Sequence, residues 1–360
     1  MAATNTAWKF YLSPEQTWEG MYQACERARY SIDFEQYIFV DDFLGRRFIE
    51  LLSEKARHGV RVRLLCDMVG SYSLYRSAAL AQLRQSGVHV QFFNPIKPWW
   101  IHELFDWFLR THRKLLVVDG EYGFIGGVGI HATMRNRRDT HVRLRGPVVD
   151  EMASAFETLW KMNEGHHRFI RFARPLTDSS DFTLLTNSPR FRQRFTYWAL
   201  VRRFRAAKKT IYITTPYFVP DGRVFRALKG AARRGVDVRI LLPANPDWRL
   251  AYRANRSFYG RALKAGVRFF EYGPDFIHSK TTVVDGAWAC IGSSNIDSLS
   301  LLFNYEADVA SSDKEFVAEL TWHFIEDSKS AREIPRATWR LRPVWEKVIE
   351  QLVRPLHRFM

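Results

Sequence analysis

Hydrophobic and polar positions along this chain alternate in a recurring order of helix-like and strand-like runs. Trp18, Met21, Tyr22, Cys25 and Ala28 recur at helical spacing and predict an opening amphipathic helix. Residues 31–40, rich in Ile, Phe and Tyr, predict a strand; 43–57 predict a helix stopped by Gly59, and 60–66 a buried strand. Residues 74–85 predict a helix ended by Gly87. Strands over 88–93, 115–118 and 141–145 follow, and a helix over 148–162 closes this half.

The second half runs through the same order. Residues 195–207 predict a helix, 210–219 a strand, 224–234 a helix before Gly235, 236–242 a strand, 252–264 a helix before Gly266, and 267–272 and 281–284 strands. The wording repeats too: residues 37–40 align with 217–220, and 58–65 with 234–241. One α/β unit is written twice, and strands alternating with helices predict a mixed, largely parallel sheet with helices on both faces. The expected division is a first half over 1–165, a polar connection over 166–180, a second half over 181–330 and a tail over 331–360.

Composition narrows the partners. At 360 residues with 46% apolar content the chain has ample core for two units of ordinary size. Its 54 Lys and Arg exceed its 38 Asp and Glu by 16, which implies an anionic partner, either nucleic acid or an acidic membrane surface. Cys25, Cys66 and Cys290 are far apart, and the last two lie in apolar runs, so buried free thiols in a reducing compartment are expected. No run reaches 18 apolar residues and the first 20 residues carry no targeting pattern, so a simple spanning helix is not expected.

The chemistry is carried by a second repeat. His278, Lys280 and Asp285 are followed by Gly292, Ser293 and Asn295 and then by Glu306; His112, Lys114 and Asp119 are followed by Gly126, Gly127 and then by Asp139. In both copies Lys follows His by two residues and Asp follows it by seven. Side chains two apart on a strand share a face, so each copy offers one imidazole and one ammonium to one cavity. Two copies facing each other suit a phosphodiester. The lysines hold the charged oxygens, one neutral imidazole attacks phosphorus, and the other protonates the departing alkoxide. His112 is the expected nucleophile. Asp139 and Glu306 are each expected to bond the far nitrogen of the histidine in their own half, fixing its tautomer. With two histidines and two lysines supplying the charge, no metal or other cofactor is needed, and the sequence has no His-Glu-x-x-His or phosphate-binding glycine loop.

These residues resemble the phospholipase D superfamily, whose duplicated signature the second copy matches in full. The first copy departs from it at Gly127 and Gly129, where Ser and Asn are usual, which leaves a polar contact from the first half open. The runs 112–120, 124–127, 138–142 and 302–306 are similar to bacterial cardiolipin synthases, over roughly residues 20 to 330. The resemblance implies two α/β/α sandwich halves about a pseudo-twofold with the site between them. It implies His112, Lys114, Asp119, Asp139, His278, Lys280, Asp285 and Glu306 as catalytic residues, and Gly126, Gly127, Ser293 and Asn295 as substrate-binding residues. The implied activity is phosphatidyl transfer between anionic phospholipids through a phosphohistidine. The implied setting is the cytoplasm or the cytoplasmic face of a bacterial inner membrane, as in the shorter family members without membrane spans.

Three further stretches bear on the partner. Residues 99–109 have no counterpart in the second half; Ile101, Leu104, Phe105, Phe108 and Leu109 fall on one helical face, to be packed on the body or laid in a lipid interface. In the tail, Trp345, Val348, Ile349, Leu352, Val353 and Leu356 form an apolar stripe ringed by arginines, again to dock on the protein or lie on a membrane. The basic run from Arg190 to Arg205 is a solvated helix face or an attractor of headgroups. A hydrolase, a nuclease with the same motif and a non-catalytic membrane module are the alternatives. The apolar insertion and tail argue against nucleic acid, and both copies keeping His and Lys argues against the module.

Overall fold

This computed structural model describes residues 6–95, 109–165, 181–189, 193–245, 247–343 and 345–346. The first half contains β1 (Ala7–Tyr11), α1 (Pro14–Arg27), β2 (Ser31–Gln36), α2 (Phe43–Arg57), β3 (Arg61–Asp67), α3 (Tyr72–Tyr75), α4 (Ala79–Gln85), β4 (His89–Phe93), β5 (Lys114–Val118), β6 (Tyr122–Gly126), β7 (His141–Arg145) and α5 (Val148–Asn163). The second half contains β8 (Phe182–Ser188), β9 (Gln193–Arg194), α6 (Phe195–Ala206), β10 (Thr210–Thr214), β11 (Phe218–Val219), α7 (Gly222–Arg233), β12 (Asp237–Pro243), α8 (Arg249–Ala265), β13 (Arg268–Tyr272), β14 (Thr281–Val284), β15 (Trp288–Gly292), β16 (Ile296–Asp297), β17 (Glu306–Ser311), α9 (Lys314–Lys329), β18 (Ala331–Glu333) and α10 (Arg336–Arg340).

The duplication extends to every strand of the first sheet. Its order is β1-β7-β6-β5-β2-β3-β4, and the second sheet contains the same order as β8-β17-β15-β14-β10-β12-β13, with β9 and β18 added at its edges. Five of these strands, β1, β6, β8, β15 and β17, lie outside the expected elements; β1 and β8 open their halves, antiparallel to β7 and β17 respectively. The expectation of a largely parallel sheet is overturned. Among the described residues of these two sheets, only β2, β3 and β4, with β10, β12 and β13, pair in parallel; the motif strands pair antiparallel with both neighbours. The reason is connection length, because the motif strands are joined to the next strand by tight hairpins, which can only return antiparallel.

Those hairpins explain the motif aspartates. Asp119-Gly120 and Asp285-Gly286 have φ of 54°, 66°, 56° and 62°, the left-handed geometry of two-residue turns that favours Asp-Gly. The Asp119 carboxylate accepts the backbone N–H groups of Arg29, Tyr30 and Ser31 at 2.8, 2.7 and 2.8 Å. Asp285 does the same for Lys208, Lys209 and Thr210, at 2.9, 2.7 and 2.9 Å. Each aspartate therefore ties its hairpin to the start of the central strand, at the end of the sheet away from the histidine.

The expected strands over 31–40 and 210–219 both break early. After the break Phe39 bridges to Ile130, and Phe218 pairs with Ile296. This aligns Phe39 with Phe218, so the sequence pairing of Tyr37 with Tyr217 is one residue out of register; Pro216 stands opposite Tyr37.

Alternation along the strands divides the core. Leu116 and Val118 join the helices α1, α2 and α4 on the outer face of the first sheet. Leu115 and Val117 face the other way, into a core shared with Val283, Ala289, Ile291, Ala307 and Val309 of the second sheet and with α5 and α9. The outer face of the second sheet packs on α6, α7 and α8. Two α/β/α sandwiches thus meet through one continuous apolar layer. Cys25, Cys66 and Cys290 are buried free thiols, as expected.

Beyond residue 330 the chain docks on the body: β18 pairs with β13, and Trp339 of α10 is buried beside Tyr259. Trp345 is half exposed, and the rest of the expected tail stripe from Val348 onward lies outside the described residues. So do the connection over 166–180, the run 190–192 and, apart from Leu109, the apolar face of the insertion.

Asp285→Ala is expected to lower stability by roughly 2 kcal/mol, because three backbone donors lose a charged acceptor. Thermal melting should show the fall, while the protein that remains folded keeps its turnover. Lost turnover at an unchanged melting temperature would put Asp285 in the chemistry instead.

Candidate functional site

The residues just ahead of β5 and β14 do not stay within their own half. Thr111 bridges to Tyr305 across the seam, with the His112 N–H donating to the Tyr305 carbonyl at 2.9 Å and the Tyr305 N–H to the Arg110 carbonyl at 2.9 Å. Arg138 bridges to Ile277 in the same way: its N–H donates to Phe276 at 3.2 Å, and its carbonyl accepts the His278 N–H at 2.7 Å. Each histidine is therefore held by the residue that precedes the other half's carboxylate.

The side chains follow the backbone. His112 Nδ1 lies 3.1 and 3.2 Å from the Glu306 oxygens and 3.2 Å from the Ser293 carbonyl. His278 Nδ1 lies 2.8 Å from Asp139 Oδ2. The expectation that each carboxylate serves its own half is thus corrected: the partners are exchanged. The cause is the seam, which sets Tyr305 beside Thr111 and Arg138 beside Ile277 and so points the next side chain across it.

The lysines complete the set. Lys114 donates to the His112 carbonyl at 2.7 Å and stands 5.3 Å from the Tyr37 ring, which meets the His112 imidazole edge-on at 5.0 Å. Lys280 reaches the His278 carbonyl and lies 3.0 Å from His278 Nε2. All four are buried or nearly so, with Asp139 and Glu306 fully enclosed.

Ser293 donates its hydroxyl to Glu306. The matching position, Gly127, has no hydroxyl to offer, and a Cβ there would sit 2.3 Å from Asp139 Oδ1. Asp139 takes the Thr140 N–H at 2.8 Å instead, so the missing serine leaves the room that this carboxylate fills. Gly126 approaches the Thr140 carbonyl closely enough that a Cβ would lie 2.6 Å away. Asn295 is buried, and its side-chain oxygen has no hydrogen-bond partner.

Burial and the mutual repulsion of the cations set the protonation states. Burial, with the Lys114 and Lys280 charges, pushes His112 well below its ordinary value. Burial and Lys280 push His278 down to about 3 against the pull of Asp139, so both imidazoles rest neutral. Burial lowers Lys114 to about 8 and Lys280 to about 7. The carboxylates differ. Burial raises Glu306 to about 7, only partly offset by Lys114. Burial also acts upward on Asp139, but the hydrogen bond from the His278 ring, the Lys280 charge and the Thr140 N–H outweigh it and hold the group well below the usual carboxylate range. That Lys280 acts on His112, and Asp139 on Lys114, shows the two halves converging on one space. Among the described residues no three His, Cys, Asp or Glu side chains converge as a metal set.

Several supporting groups were not singled out in the sequence. Arg110 forks onto Asp67 through Nε and Nη2, at 2.9 and 2.8 Å, and Thr111 donates to Glu35, bracing the segment that carries His112. Tyr37 floors the His112 side, and Arg137 approaches the His278 side. The available signal was position: Arg110 stands two residues before the first motif histidine, and Arg137 two before Asp139.

Glu306→Gln offers a test of the charge pattern. A carboxyl raised from 4.5 to about 7 keeps its proton in the folded protein while the unfolded chain has lost it, so its contribution to stability declines as pH rises through that window. The variant lacks this decline. Its melting temperature relative to the parent should therefore be higher at about pH 7.5 than at about pH 5. An equal difference at both pH values would mean that Glu306 does not titrate there.

The family model described as cardiolipin synthase, phospholipase D-like domain matches residues 21–160 and 200–328. Cardiolipin synthase A of Pseudomonas putida is 35% identical over 364 residues, covering 98% of this chain and 75% of that protein. A cardiolipin synthase of Halalkalibacterium halodurans is 34% identical over 366 residues, covering 98% and 72%. Among solved structures, the phosphatidylserine synthase of Haemophilus influenzae superposes with a TM-score of 0.75 at 12% identity, over 98% of this chain and 93% of that one, a likeness of fold. With its motif duplicated in sheet, hairpin and site alike, the chain belongs to the cardiolipin synthase family of phospholipase D-like proteins.

Proposed function

We propose that the protein transfers a phosphatidyl group between two phosphatidylglycerol molecules, forming cardiolipin and releasing glycerol. The observation that carries this reading is the crossed pair of histidines: each Nδ1 is engaged by the other half's carboxylate, so Nε2 is the atom that reacts, the His278 one with the Lys280 ammonium 3.0 Å away. His112 Nε2 attacks phosphorus and the bond to the departing glycerol breaks, leaving a phosphohistidine. His278, made imidazolium in the bound state by the substrate anion and the ionised Asp139, gives its Nε2 proton to that alkoxide. It then takes the proton of the acceptor hydroxyl, whose oxygen attacks phosphorus as the P–N bond breaks. Lys114 and Lys280 hold the non-bridging oxygens throughout.

The assignment of His112 as nucleophile rests on the unequal carboxylates. An imidazolium is best stabilised beside an ionised partner, and Asp139 is the one held ionised. Glu306, titrating near 7, gives His112 a weaker pull and suits a ring that stays neutral until it attacks. Ser293 backs Glu306 through its hydroxyl and Gly127 leaves the room that Asp139 fills, so these positions seat the carboxylates rather than react.

The substrates are anionic lipids, so the setting we infer is peripheral, at the cytoplasmic face of a bacterial inner membrane, where a net charge of +16 favours residence on acidic lipid. Among the described residues no helix is long and apolar enough to cross a membrane.

Purified protein with phosphatidylglycerol vesicles should form cardiolipin and glycerol in equal amounts. Phosphatidic acid as the only lipid product would make the protein a hydrolase. His112→Ala and His278→Ala should each reduce turnover by roughly 10³-fold or more. With labelled lipid and an acid-free quench, His278→Ala should hold label on His112, while His112→Ala should hold none. Label on His278 would reverse the two roles.

A further inference from the structure

The two sides of the crossed site are not alike at the rim. Two residues before each carboxylate the chain has Arg137 on the His278 side and Asn304 on the His112 side. Two residues before each histidine it has Phe276 and Arg110, respectively. Arg110 is committed to Asp67 and buried, and Asn304 is buried and uncharged. Arg137 is different. Its guanidinium lies over the Phe276 ring at 4.9 Å, and that ring stands 6.0 Å from the His278 imidazole. It keeps 22% of its side chain exposed, and its ion-pair contact with Asp247 is long, at 3.7 Å. Asp247 in turn accepts the Tyr217 hydroxyl at 2.8 Å. The charge of Arg137 reaches the site, since it helps to depress both His278 and Lys280.

A transfer between two phospholipids brings two phosphates to one site. The two motif lysines and two histidines face the phosphate that reacts. The acceptor carries a second phosphate, joined to the attacking hydroxyl by a short alcohol spacer, and this anion needs a cation one ring away from the group that deprotonates the hydroxyl. A guanidinium suits it, because its planar fork matches two phosphate oxygens at once. We propose that Arg137 binds the phosphate of the acceptor lipid on the His278 side, and so selects a phospholipid over water or a simple alcohol as acceptor. This rests on the transfer reading above. Asp247 holds the guanidinium loosely in the resting enzyme and gives it up to the incoming phosphate.

Competition within one reaction tests this without depending on total activity. Enzyme and phosphatidylglycerol vesicles are supplied with ethanol, and the ratio of cardiolipin to phosphatidylethanol is read by mass spectrometry. Arg137→Gln should lower that ratio about tenfold or more, the size of one lost charge-assisted contact. Arg137→Lys should fall between. Asp247→Asn should move the ratio the other way, toward cardiolipin, because it removes the competitor for the guanidinium. A ratio that stays at the parent value in Arg137→Gln, or that moves in the same direction in Arg137→Gln and Asp247→Asn, overturns the proposal. If the parent enzyme makes neither product, it is the transfer reading that fails.

Discussion

The exchange of hydrogen-bond partners across the seam is the constraint on which the rest of the structure depends. His112 finds Glu306 and His278 finds Asp139 only because short stretches of backbone, Arg110 to His112 and Phe276 to His278, pair with the opposite half. Neither half alone carries a histidine with its carboxylate. The shared apolar layer between the sheets is therefore part of the active site, since it sets the distance over which those pairs form. The two motif aspartates serve the same end from afar. By tying each hairpin to its central strand they fix the sheet from which the motif lysine projects.

The site is an incomplete charge arrangement. Two ammonium groups, two imidazoles and two carboxylates lie in a space largely closed to water, where an unmatched charge costs several kcal/mol. The protein lowers this cost by shifting protons: the lysines are pushed down toward neutrality and Glu306 is pushed up. A phosphodiester supplies the missing negative charge. Its arrival favours full protonation of both lysines, so binding and the charging of the site are one event. The pseudo-symmetry is broken at the carboxylates, and a Glu backed by Ser293 opposite an Asp seated against Gly127 is how one duplicated motif provides two chemical roles.

Much of this was legible in the sequence, for physical reasons. Spacing of two along a strand forces a shared face, so the clustering of His112 with Lys114 and of His278 with Lys280 followed without a structure. The repeat of Gly59 and Gly235 after similar helices marked the duplicated unit, and both have φ near 90°, as a helix-ending glycine requires. What could not be read was set by contacts distant in sequence. Alternation says which face a side chain takes but not which strand lies beside it, so the crossing of Glu306 to His112 was hidden. Short edge strands such as β1, with Trp8 and Phe10 on one side only, carry too few residues to stand out from the helix that follows. The sheet was misjudged as largely parallel because helical connections dominate the pattern, whereas two-residue turns reverse the strands that matter. The resemblance implies the motif aspartates as catalytic residues, and spacing alone does not show that their carboxylates accept backbone N–H groups at the far end of the sheet.

The central claim is that each histidine answers to the other half's carboxylate. Nitrogen-15 spectra of histidine-labelled protein test it directly, with the two active-site rings assigned by single substitution. Glu306→Gln should move the ring-nitrogen resonances of His112 and leave those of His278 nearly in place, and Asp139→Asn should do the reverse. If Glu306→Gln moved His278 and left His112 unchanged, the halves would be self-contained and the crossed site would be wrong.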